Sequence, residues 1–519
     1  MRLILGLTLV LGFFVRFFPV LKAGFPINDG GMFLVMIRDL KSNGLLLPAF
    51  TSYNMTDIPF TYPPLGFYLA AAISFLGIPE IEILRWLPMV VNLISILAVY
   101  LLASNVTNDR PFAALTAGFY GLIPGGYGWY IMGGGLTRGL GGLFLVLSVA
   151  SLIQVFRKGL WKDIVLTSVL CALAILSHPE AAIHTAASCA LVWLFFGRSL
   201  RSSLHAALIA LGAIAFSSPW WLTNLNYHGP QPFISALYSG NYGASPVNQL
   251  FRDVLSRGSM IPLILLLRVA GIAWAAWDRK FFILAWMAIP YVVEPRSAPA
   301  VSYYPFSMLI ALGLTGAFFN LVLLFKKRFR SAKPNLEKVV KEGMGETVAN
   351  PPHWYEIHWM NLTILTLFFY LFFDSLLYSF PLINTSLKKD SVEAMEWAWA
   401  NTPVASSFLI LRGESGVMVD PVQEWFPALA QRHSNTTLQG LEWTLNSGFT
   451  ARLIELSDLQ DCEEVTCVED WADHNGLNYT HLMVDHTRLS NSFLSSIYSD
   501  PTYKLIFEND RYNIYVTDP

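Results

Sequence analysis

Long apolar segments recur along this chain, and they constrain its fold more than any other feature. The first covers residues 3–20 and carries no charge apart from Arg16, and about 20 residues suffice for a helix to cross a bilayer. Charged residues make up 13% of the 519 residues, whereas soluble domains carry about 25%. The sequence therefore predicts a polytopic α-helical membrane protein. Ten further segments are candidate spans: 83–103, 111–124, 138–156, 162–177, 180–197, 204–222, 259–277, 281–293, 302–325 and 359–381.

The orientation of these spans depends on the apolar segment 65–77. Its 13 residues are short for a crossing and suit a helix that lies at the interface or re-enters the bilayer. If this segment does not cross, four basic clusters all face the cytoplasm, as the positive-inside rule requires; if it crosses, all four face outside. We therefore predict about eleven spans, with the loop 21–82 outside. The four clusters are Arg157-Lys158-Lys162, Arg198/Arg201, Arg279-Lys280 and Lys326-Lys327-Arg328-Arg330.

The same topology divides the chain into four parts. Residues 1–325 form a transmembrane core, 326–358 a cytoplasmic connector, 359–383 the last transmembrane helix, and 384–519 an acidic extracytoplasmic domain. The last part holds 8 Lys and Arg against 20 Asp and Glu, whereas the residues before it hold 26 and 16. Such an acidic tail on a basic membrane body is typical of a separate, water-exposed unit.

Short apolar runs in the acidic tail predict a small α/β domain. An amphipathic helix is expected over 390–401 because Val392, Met395 and Trp399 share one side. The runs that follow predict strands, and the turn at Asn509-Asp510-Arg511 predicts a closing hairpin. The predicted strands are 407–411, 482–484, 503–507 and 512–516.

Four cysteines are present, and their surroundings separate them into two pairs. Cys171 and Cys189 lie inside apolar helices and are expected to be packing residues. Cys462 and Cys467 lie close together in the tail, where either a small-loop disulfide or two free thiols is possible. Neither pair has metal-site spacing.

Asp29 is the first candidate for chemistry. It follows the first span and precedes Gly30-Gly31, and glycines let a bulky headgroup approach a carboxylate. A carboxylate in this position could act as a general base toward an acceptor hydroxyl. The alternative is an ordinary loop aspartate near a helix start.

Two arginines at helix ends are candidates for binding phosphate. Arg138 follows Gly133-Gly134-Gly135, and Arg296 follows Glu294-Pro295. Arginine makes planar, multidentate contacts with phosphate oxygens. Alternatively, both side chains reach to the phosphates of the bilayer itself.

A histidine and a glutamate interrupt the apolar sequence at Ser177-His178-Pro179-Glu180. Ionisable groups near a bilayer are costly, so a functional reason is the default hypothesis for His178 and Glu180. The alternative is a role in capping the turn. A divalent metal ion is conceivable at Asp29/Asp57 or at His178/Glu180, but no strong ligand spacing supports one, and the cofactor is unknown.

These features together resemble the GT-C superfamily of polyprenyl-phosphate-sugar glycosyltransferases, among them the protein O-mannosyltransferases and the aminoarabinose transferases of lipid A. The resemblance rests on one span, an outer Asp29, the stretch Tyr62-Pro63-Pro64-Leu65-Gly66, and Glu82-Ile83-Leu84-Arg85-Trp86-Leu87-Pro88 opening the next span. It implies that Asp29 is the base, that Arg138 is the arginine opening a later span, and that Tyr62 replaces a histidine of the substrate pocket. O-mannosyltransferases commonly show Asp-Glu where this chain has Asp29-Gly30, so the second acid would be Asp57.

The resemblance implies transfer of a sugar from a polyprenyl-phosphate donor to an acceptor hydroxyl on the extracytoplasmic face of a prokaryotic plasma membrane. Asp29 and Asp57 would be catalytic, Arg138 and Arg296 would bind the donor phosphate, and Tyr62, His178 and Glu180 would line the pocket. The expected partners are the donor, an unidentified acceptor and membrane lipids, with no nucleic acid. A solute transporter and a non-catalytic membrane scaffold are the alternative functions.

The predicted topology can be tested by cysteine labelling from each side of the membrane. A cysteine at Ser492 should react with an impermeant reagent applied outside, because the acidic tail is predicted to be extracytoplasmic. A cysteine at Ser331 should react only after the membrane is made permeable. Equal labelling of the two positions would contradict the topology.

Overall fold

The computed structural model describes residues 2–239, 245–324, 354–414 and 416–517. Most of the predicted connector 326–358, up to residue 353, lies outside these residues. In chain order the helices up to residue 324 are α1 Arg2–Ala23, α2 Gly31–Ser42, α3 Leu65–Ser74, α4 Glu80–Thr107, α5 Arg110–Leu122, α6 Gly135–Lys158, α7 Trp161–Ile175, α8 Pro179–Phe196, α9 Leu200–His228, α10 Gln231–Ser239, α11 Pro246–Leu255, α12 Leu263–Trp277, α13 Phe281–Val293 and α14 Ala298–Leu312, which a π-helical turn Gly313–Phe318 extends.

Every predicted span coincides with a helix, but not every helix is long. Within the described residues, seven helical segments are long and apolar enough to cross a membrane. Four predicted spans form the shorter helices α5, α7, α12 and α13, so the number of crossings stays a prediction. The seven long segments are Arg2–Ala23, Glu80–Thr107, Gly135–Lys158, Pro179–Phe196, Leu200–His228, Ala298–Leu324 and Trp359–Asn401.

The apolar segment 65–77 forms the short helix α3. Its 10 residues correspond to a length of about 15 Å, half the thickness of a bilayer's hydrocarbon, which is about 30 Å. One side of α3 is buried, with Phe67, Ala70 and Ala71 packed inside the protein. The helix is therefore too short to span, as the sequence indicates.

Arg16, the one charge in the first apolar segment, is fully buried between three helices. Its guanidinium donates from Nε to Asn92 Oδ1 of α4 at 2.7 Å, and from Nη1 to the carbonyl of Gly121 in α5 at 2.7 Å. Its Cζ lies 4.9 Å from the ring centroid of Tyr127. A charged group in an apolar interior needs such partners, so Arg16 joins α1, α4 and α5 and takes no part in the candidate site.

The C-terminal residues build a five-stranded mixed sheet. Its strands lie in the order β4-β3-β5-β7-β6, and β3 is parallel to both β4 and β5, while β7 is antiparallel to β5 and β6. Strands form at all four predicted runs, and the added strand is β4. The C-terminal elements are α15 Trp354–Asn384, α16 Lys389–Asn401, β3 Ser407–Leu411, α17 Pro421–Ala430, β4 His433–Ser434, α18 Gly448–Gln460, α19 Val465–His474, β5 His481–Asp485, α20 Asn491–Ser499, β6 Tyr503–Glu508 and β7 Tyr512–Thr517; in the first outer loop, β1 Phe50–Thr51 pairs with β2 Ile58–Pro59.

The C-terminal residues and the segment between α1 and α4 share one apolar core. Helix α17 packs against α2, and Trp425 Nε1 donates to the carbonyl of Asn28 at 2.8 Å. The ring of Trp425 also meets Phe25 edge-on, with centroids 4.7 Å apart. Members of this core include Phe33, Met36, Tyr53 and Ile58 from that segment, and Ala394, Phe408, Trp425, Phe426 and Tyr512 from the C-terminal part.

Of the two alternatives left open for the tail cysteines, the structure contains the disulfide. Cys462 and Cys467 are bonded, with Cα atoms 5.7 Å apart. Cys171 and Cys189 are free thiols that lie in the apolar helices α7 and α8.

Candidate active site

Asp29 lies in a turn between α1 and α2 that special backbone conformations create. Asn28 has φ 58° and Gly30 has φ 124°, and the second value is open in practice only to glycine. The turn directs the carboxylate to the start of α6. There Asp29 Oδ2 pairs with Arg138 Nη1 at 2.8 Å, and Asp29 Oδ1 accepts from the backbone N–H of Gly134 at 2.7 Å.

The glycines before α6 make this approach possible. A Cβ at Gly133 would lie 1.8 Å from the carbonyl oxygen of Asp29, and one at Gly134 would lie 2.5 Å from Asp29 Oδ2. Gly133 also donates its N–H to the carbonyl of Ile27 at 2.9 Å. Gly133 and Gly134, the first two of the three glycines seen in the sequence, are therefore the contact surface for the Asp29 turn.

Two nitrogens of the Arg138 guanidinium make no hydrogen bond within the described residues. Its Nη1 is used by Asp29, whereas Nε and Nη2 are buried and have no hydrogen-bond partner within the described part of the chain. The guanidinium lies over the ring of Trp129, with Cζ 3.9 Å from the centroid, so the plane of the fork is fixed. A buried, preoriented fork with two unused donors is suited to an anionic oxygen of a ligand.

The second carboxylate beside Asp29 is Glu424, which comes from helix α17. Glu424 Oε1 accepts from the N–H of Gly30 at 2.7 Å, and its carbonyl accepts from the hydroxyl of Tyr53 at 2.6 Å. A Cβ at Gly31 would lie 2.5 Å from that carbonyl oxygen. Burial, followed by the charge of Asp29, raises the pKa of Glu424 to about 8. At neutral pH the Glu424 carboxyl is therefore largely protonated, which avoids two adjacent negative charges.

Arg138 also belongs to a second group of polar residues, which lies at the starts of α8 and α14. Arg138, His178, Glu180, His184 and Ser297 line one narrow cavity. Burial, together with the positive charges of Arg138 and Arg296, lowers the pKa of His178 to about 3. His178 is therefore neutral at physiological pH and can accept or donate a hydrogen bond.

Arg296 lies in the same group through a carboxylate. Its Nε is 3.5 Å from Glu180 Oε1, and the neighbouring Ser297 Oγ is 2.9 Å from His184 Nε2. Burial would raise the pKa of Glu294, but hydrogen bonds from His184 and Ser297 lower it to about 2. Glu294 is thus an anion held in place by Ser297 and His184, two residues that line the cavity.

Tyr62 packs beside this cavity, against the lining residue His178. Its hydroxyl is 3.4 Å from Thr137 Oγ1, and its ring centroid is 5.9 Å from that of His178. Burial raises the pKa of Tyr62 above its ordinary value. The N–H of Leu65 donates to the carbonyl of Leu176 at 2.9 Å, which fixes the Tyr-Pro-Pro-Leu-Gly stretch against the end of α7.

Asp57 is the one predicted site residue that lies apart. It is exposed on a turn with φ 48°, and the structure records no polar contact between it and Asp29 within the described residues. The acid that accompanies Asp29 is Glu424, and these two residues are about 400 positions apart. No local pattern could have paired them. Within the described residues, no group of three or more His, Cys, Asp or Glu side chains could hold a metal ion.

A helical membrane body that brings an outer-loop carboxylate to an arginine at the start of a later helix is what the resemblance to GT-C glycosyltransferases implies. Comparisons with known proteins confirm that resemblance. Residues 61–222 match the model of the family described as dolichyl-phosphate-mannose-protein mannosyltransferase. A comparison with curated protein sequences gives no significant match.

Solved structures of glycosyltransferases of the GT-C type are similar over nearly the whole chain. The archaeal oligosaccharyltransferase AglB from Archaeoglobus fulgidus, in complex with an inhibitory peptide and a dolichol-phosphate, has a TM-score of 0.53 at 13% identity, over 91% of this chain and 69% of that one. ArnT from Cupriavidus metallidurans, bound to undecaprenyl phosphate, has a TM-score of 0.54 at 13% identity, over 99% of this chain and 97% of that one. Arabinofuranosyltransferase AftD from Mycobacteria has a TM-score of 0.56 at 14% identity, over 99% of this chain and 41% of that one. At these identities the likeness is one of fold.

The raised pKa of Glu424 predicts a pH dependence of stability. The ordinary value is 4.5 and the folded value about 8, so the folded state favours the protonated form. The resulting stability is full below pH 4.5 and is lost as the pH rises through 8. Glu424→Gln stays neutral and keeps an acceptor for Gly30, so we expect a flatter profile of thermal unfolding temperature against pH in this window.

A matched control is Glu455→Gln, which changes a half-exposed carboxylate in the same C-terminal part. It should leave the pH profile of the wild type unchanged. If Glu424→Gln shows the wild-type profile as well, the assignment of a largely protonated Glu424 at neutral pH is wrong.

Proposed function

We propose that this protein is a membrane glycosyltransferase that moves a sugar from a polyprenyl-phosphate donor to an acceptor hydroxyl on the extracytoplasmic side. The observation that carries the proposal is the Asp29–Arg138 pair, in which one guanidinium nitrogen holds the carboxylate while Nε and Nη2 remain unused. Asp29 as the general base and Arg138 as the group that binds phosphate are then held a salt-bridge distance apart. Transfer to a hydroxyl requires these two groups close together.

The pair can carry out both halves of the displacement. Asp29 accepts the proton of the acceptor hydroxyl as the hydroxyl oxygen attacks the anomeric carbon of the sugar. The bond between that carbon and the phosphate oxygen breaks, and the leaving phosphate keeps the electron pair. Arg138 stabilises the developing charge through its unused donors. Attack opposite to the leaving phosphate inverts the anomeric carbon.

The remaining polar residues complete the donor pocket. Arg296 supplies a second positive charge on the far side, held by Glu180 at 3.5 Å. His178 lines the cavity near both arginines, where a neutral imidazole can bind a sugar hydroxyl, and Tyr62 packs against His178 and holds its ring in place. Asp57, on its exposed turn, has at most an auxiliary role near the entrance.

Two observations support a lipid-linked donor and an extracytoplasmic site. The AglB structure is a complex with dolichol-phosphate and the ArnT structure a complex with undecaprenyl phosphate, and the matching family is named for a dolichyl-phosphate sugar. The Cys462–Cys467 disulfide is typical of an oxidising compartment. Because the C-terminal part shares an apolar core with the Asp29 loop, both lie on the same side of the membrane. These relatives are glycosyltransferases rather than transporters or scaffolds.

Asp29→Asn should abolish most of the transfer while leaving the fold intact. The amide keeps the size of the side chain but cannot accept the proton, and loss of a general base typically costs about 10²–10⁴-fold in rate. The measurement is the transfer of radiolabelled sugar from polyprenyl-phosphate donors by purified variants of equal thermal stability. Asp57→Asn is the control and should cost far less. An Asp29→Asn enzyme within a few-fold of the wild type would contradict the mechanism.

Arg138 should be sensitive even to a conservative change. Arg138→Lys keeps a positive charge for Asp29 but loses the second and third donors, so we expect poorer use of the donor lipid, and a greater loss in Arg138→Ala. Arg85 is a matched control, because it also pairs with a carboxylate, Glu82, and stacks on a tryptophan, Trp86. Arg85→Lys should leave the donor KM unchanged. Unchanged donor use in both Arg138 variants would exclude a role in binding phosphate.

A further inference from the structure

A second cavity, separate from the Asp29 site, opens in the C-terminal part. Its volume is about 850 Å³. One wall is Asn384–Lys388, the short connection that follows α15, and another is the start of α17 at Asp420–Val422. The cavity lies where strands β3 and β5 end, since Arg412 follows the last residue of β3 and Arg488 lies three residues after β5. In α/β sheets, ligands bind beyond the carboxyl ends of parallel strands.

Positive charge is concentrated in this cavity. Residues 384–519 contain only eight Lys and Arg, against 20 Asp and Glu. Four of these eight basic residues line the cavity: Lys388, Arg412, Arg488 and Arg511. Three acids line it as well: Glu414, Asp420 and Asp461. In so acidic a part of the chain, gathering half of the basic residues at one cavity indicates an anionic ligand.

The three arginines are held in place by one buried carboxylate. Asp485 is fully buried, and its Oδ2 lies 2.8 Å from Arg511 Nη2, 3.5 Å from Arg412 Nε and 3.6 Å from Arg488 Nε. A single negative charge fixes three guanidiniums without neutralising all of them.

Two further carboxylates pair with these arginines, so three carboxylates face three guanidiniums. Arg412 Nη1 is paired with Asp420 at 2.5 Å, and Arg488 with the half-exposed Glu414. The Nε of Arg412 is buried without a hydrogen-bond partner in the described residues. Burial, and then the charges of Arg412 and Arg511, lower the pKa of Arg488, which reflects how closely the three guanidiniums are gathered around Asp485.

We propose that this cavity, defined by Lys388, Arg412, Arg488 and Arg511, binds the phosphoryl group of an anionic lipid headgroup. Arginine forks match phosphoryl oxygens. The wall Asn384–Lys388 lies at the C-terminal end of α15, the apolar helix Trp354–Asn384 that belongs to the last candidate membrane span, so a lipid headgroup is the nearest source of that group.

The cavity is also joined to the Asp29 site through helix α17. Asp420, the N-cap of α17, lies in the cavity wall, and Glu424, one turn later, contacts Gly30. Ser386 in the opposite wall donates to the carbonyl of Pro26 at 3.1 Å, three residues before Asp29. A bound headgroup would therefore lie beside the loop that carries the proposed base.

The test measures binding to the full-length protein in detergent, without any transfer assay, so its result does not depend on the proposed function. The probes are short-chain phosphatidylglycerol, a short-chain diacylglycerol that lacks the phosphoryl group, and inorganic phosphate. Each is titrated while the thermal unfolding temperature is followed. Phosphatidylglycerol should stabilise the protein and diacylglycerol should not. Arg488→Gln should weaken the apparent affinity for phosphatidylglycerol about tenfold or more, because it removes a charged hydrogen bond.

Matched variants decide between a specific site and a general charge effect. Lys388→Gln tests the opposite wall of the cavity, and it replaces Arg488→Gln as the test variant if Arg488→Gln does not fold. Arg452→Gln and Lys504→Gln remove the same charges elsewhere in the C-terminal part and should change the affinity less than about twofold. Equal losses in all four variants, or equal stabilisation by the two lipids, would overturn the proposal. Inorganic phosphate binding as tightly as the lipid would keep the phosphoryl site but overturn the lipid source.

Discussion

The ion pair between Asp29 and Arg138 is the interaction on which the rest of the site depends. It joins the first outer loop to the first turn of α6, and only a run of glycines allows the two backbones to approach closely enough. A buried charge is tolerated when its partner is fixed, and removal of either partner leaves the other uncompensated. The pair thus holds a carboxylate next to a guanidinium that still has two unused nitrogens. In the proposed mechanism the donor phosphate binds the unused Nε and Nη2 of Arg138, while Nη1 keeps Asp29 in position.

The C-terminal part completes this site instead of standing beside it. Through the apolar core around Trp425 and Tyr53, α17 inserts Glu424 against the backbone of Gly30. A protonated carboxyl in that position supports the turn without adding a second negative charge next to Asp29. The same helix carries Asp420 into the arginine-lined cavity. One rigid element therefore contacts both the proposed catalytic loop and the proposed headgroup site.

Sequence reasoning succeeded where the signal is local. The glycines beside Asp29 marked a place where a headgroup could approach, and those before Arg138 marked a candidate phosphate site; the structure adds that these two segments contact each other. The strand runs at 407–411 and 512–516 were visible because apolar periodicity and turn residues act within a few positions. Sequence reasoning paired Asp29 with Asp57, which lies in the same loop. The structure instead places Asp57 on an exposed turn and Glu424 at the site.

The sequence by itself determined the membrane class, the helices, most strands of the C-terminal sheet, and the candidates Asp29 and Arg138, since composition, periodicity and glycine placement are properties of neighbouring residues. Tertiary structure alone decided that Glu424 lies beside Asp29, that Arg138 and Arg296 lie on two sides of one polar group, and that four basic residues of an acidic tail meet in one cavity. Each of these is a contact between residues far apart in the chain. Such contacts follow from how helices and sheet pack to bury apolar surface, which no short stretch of sequence encodes.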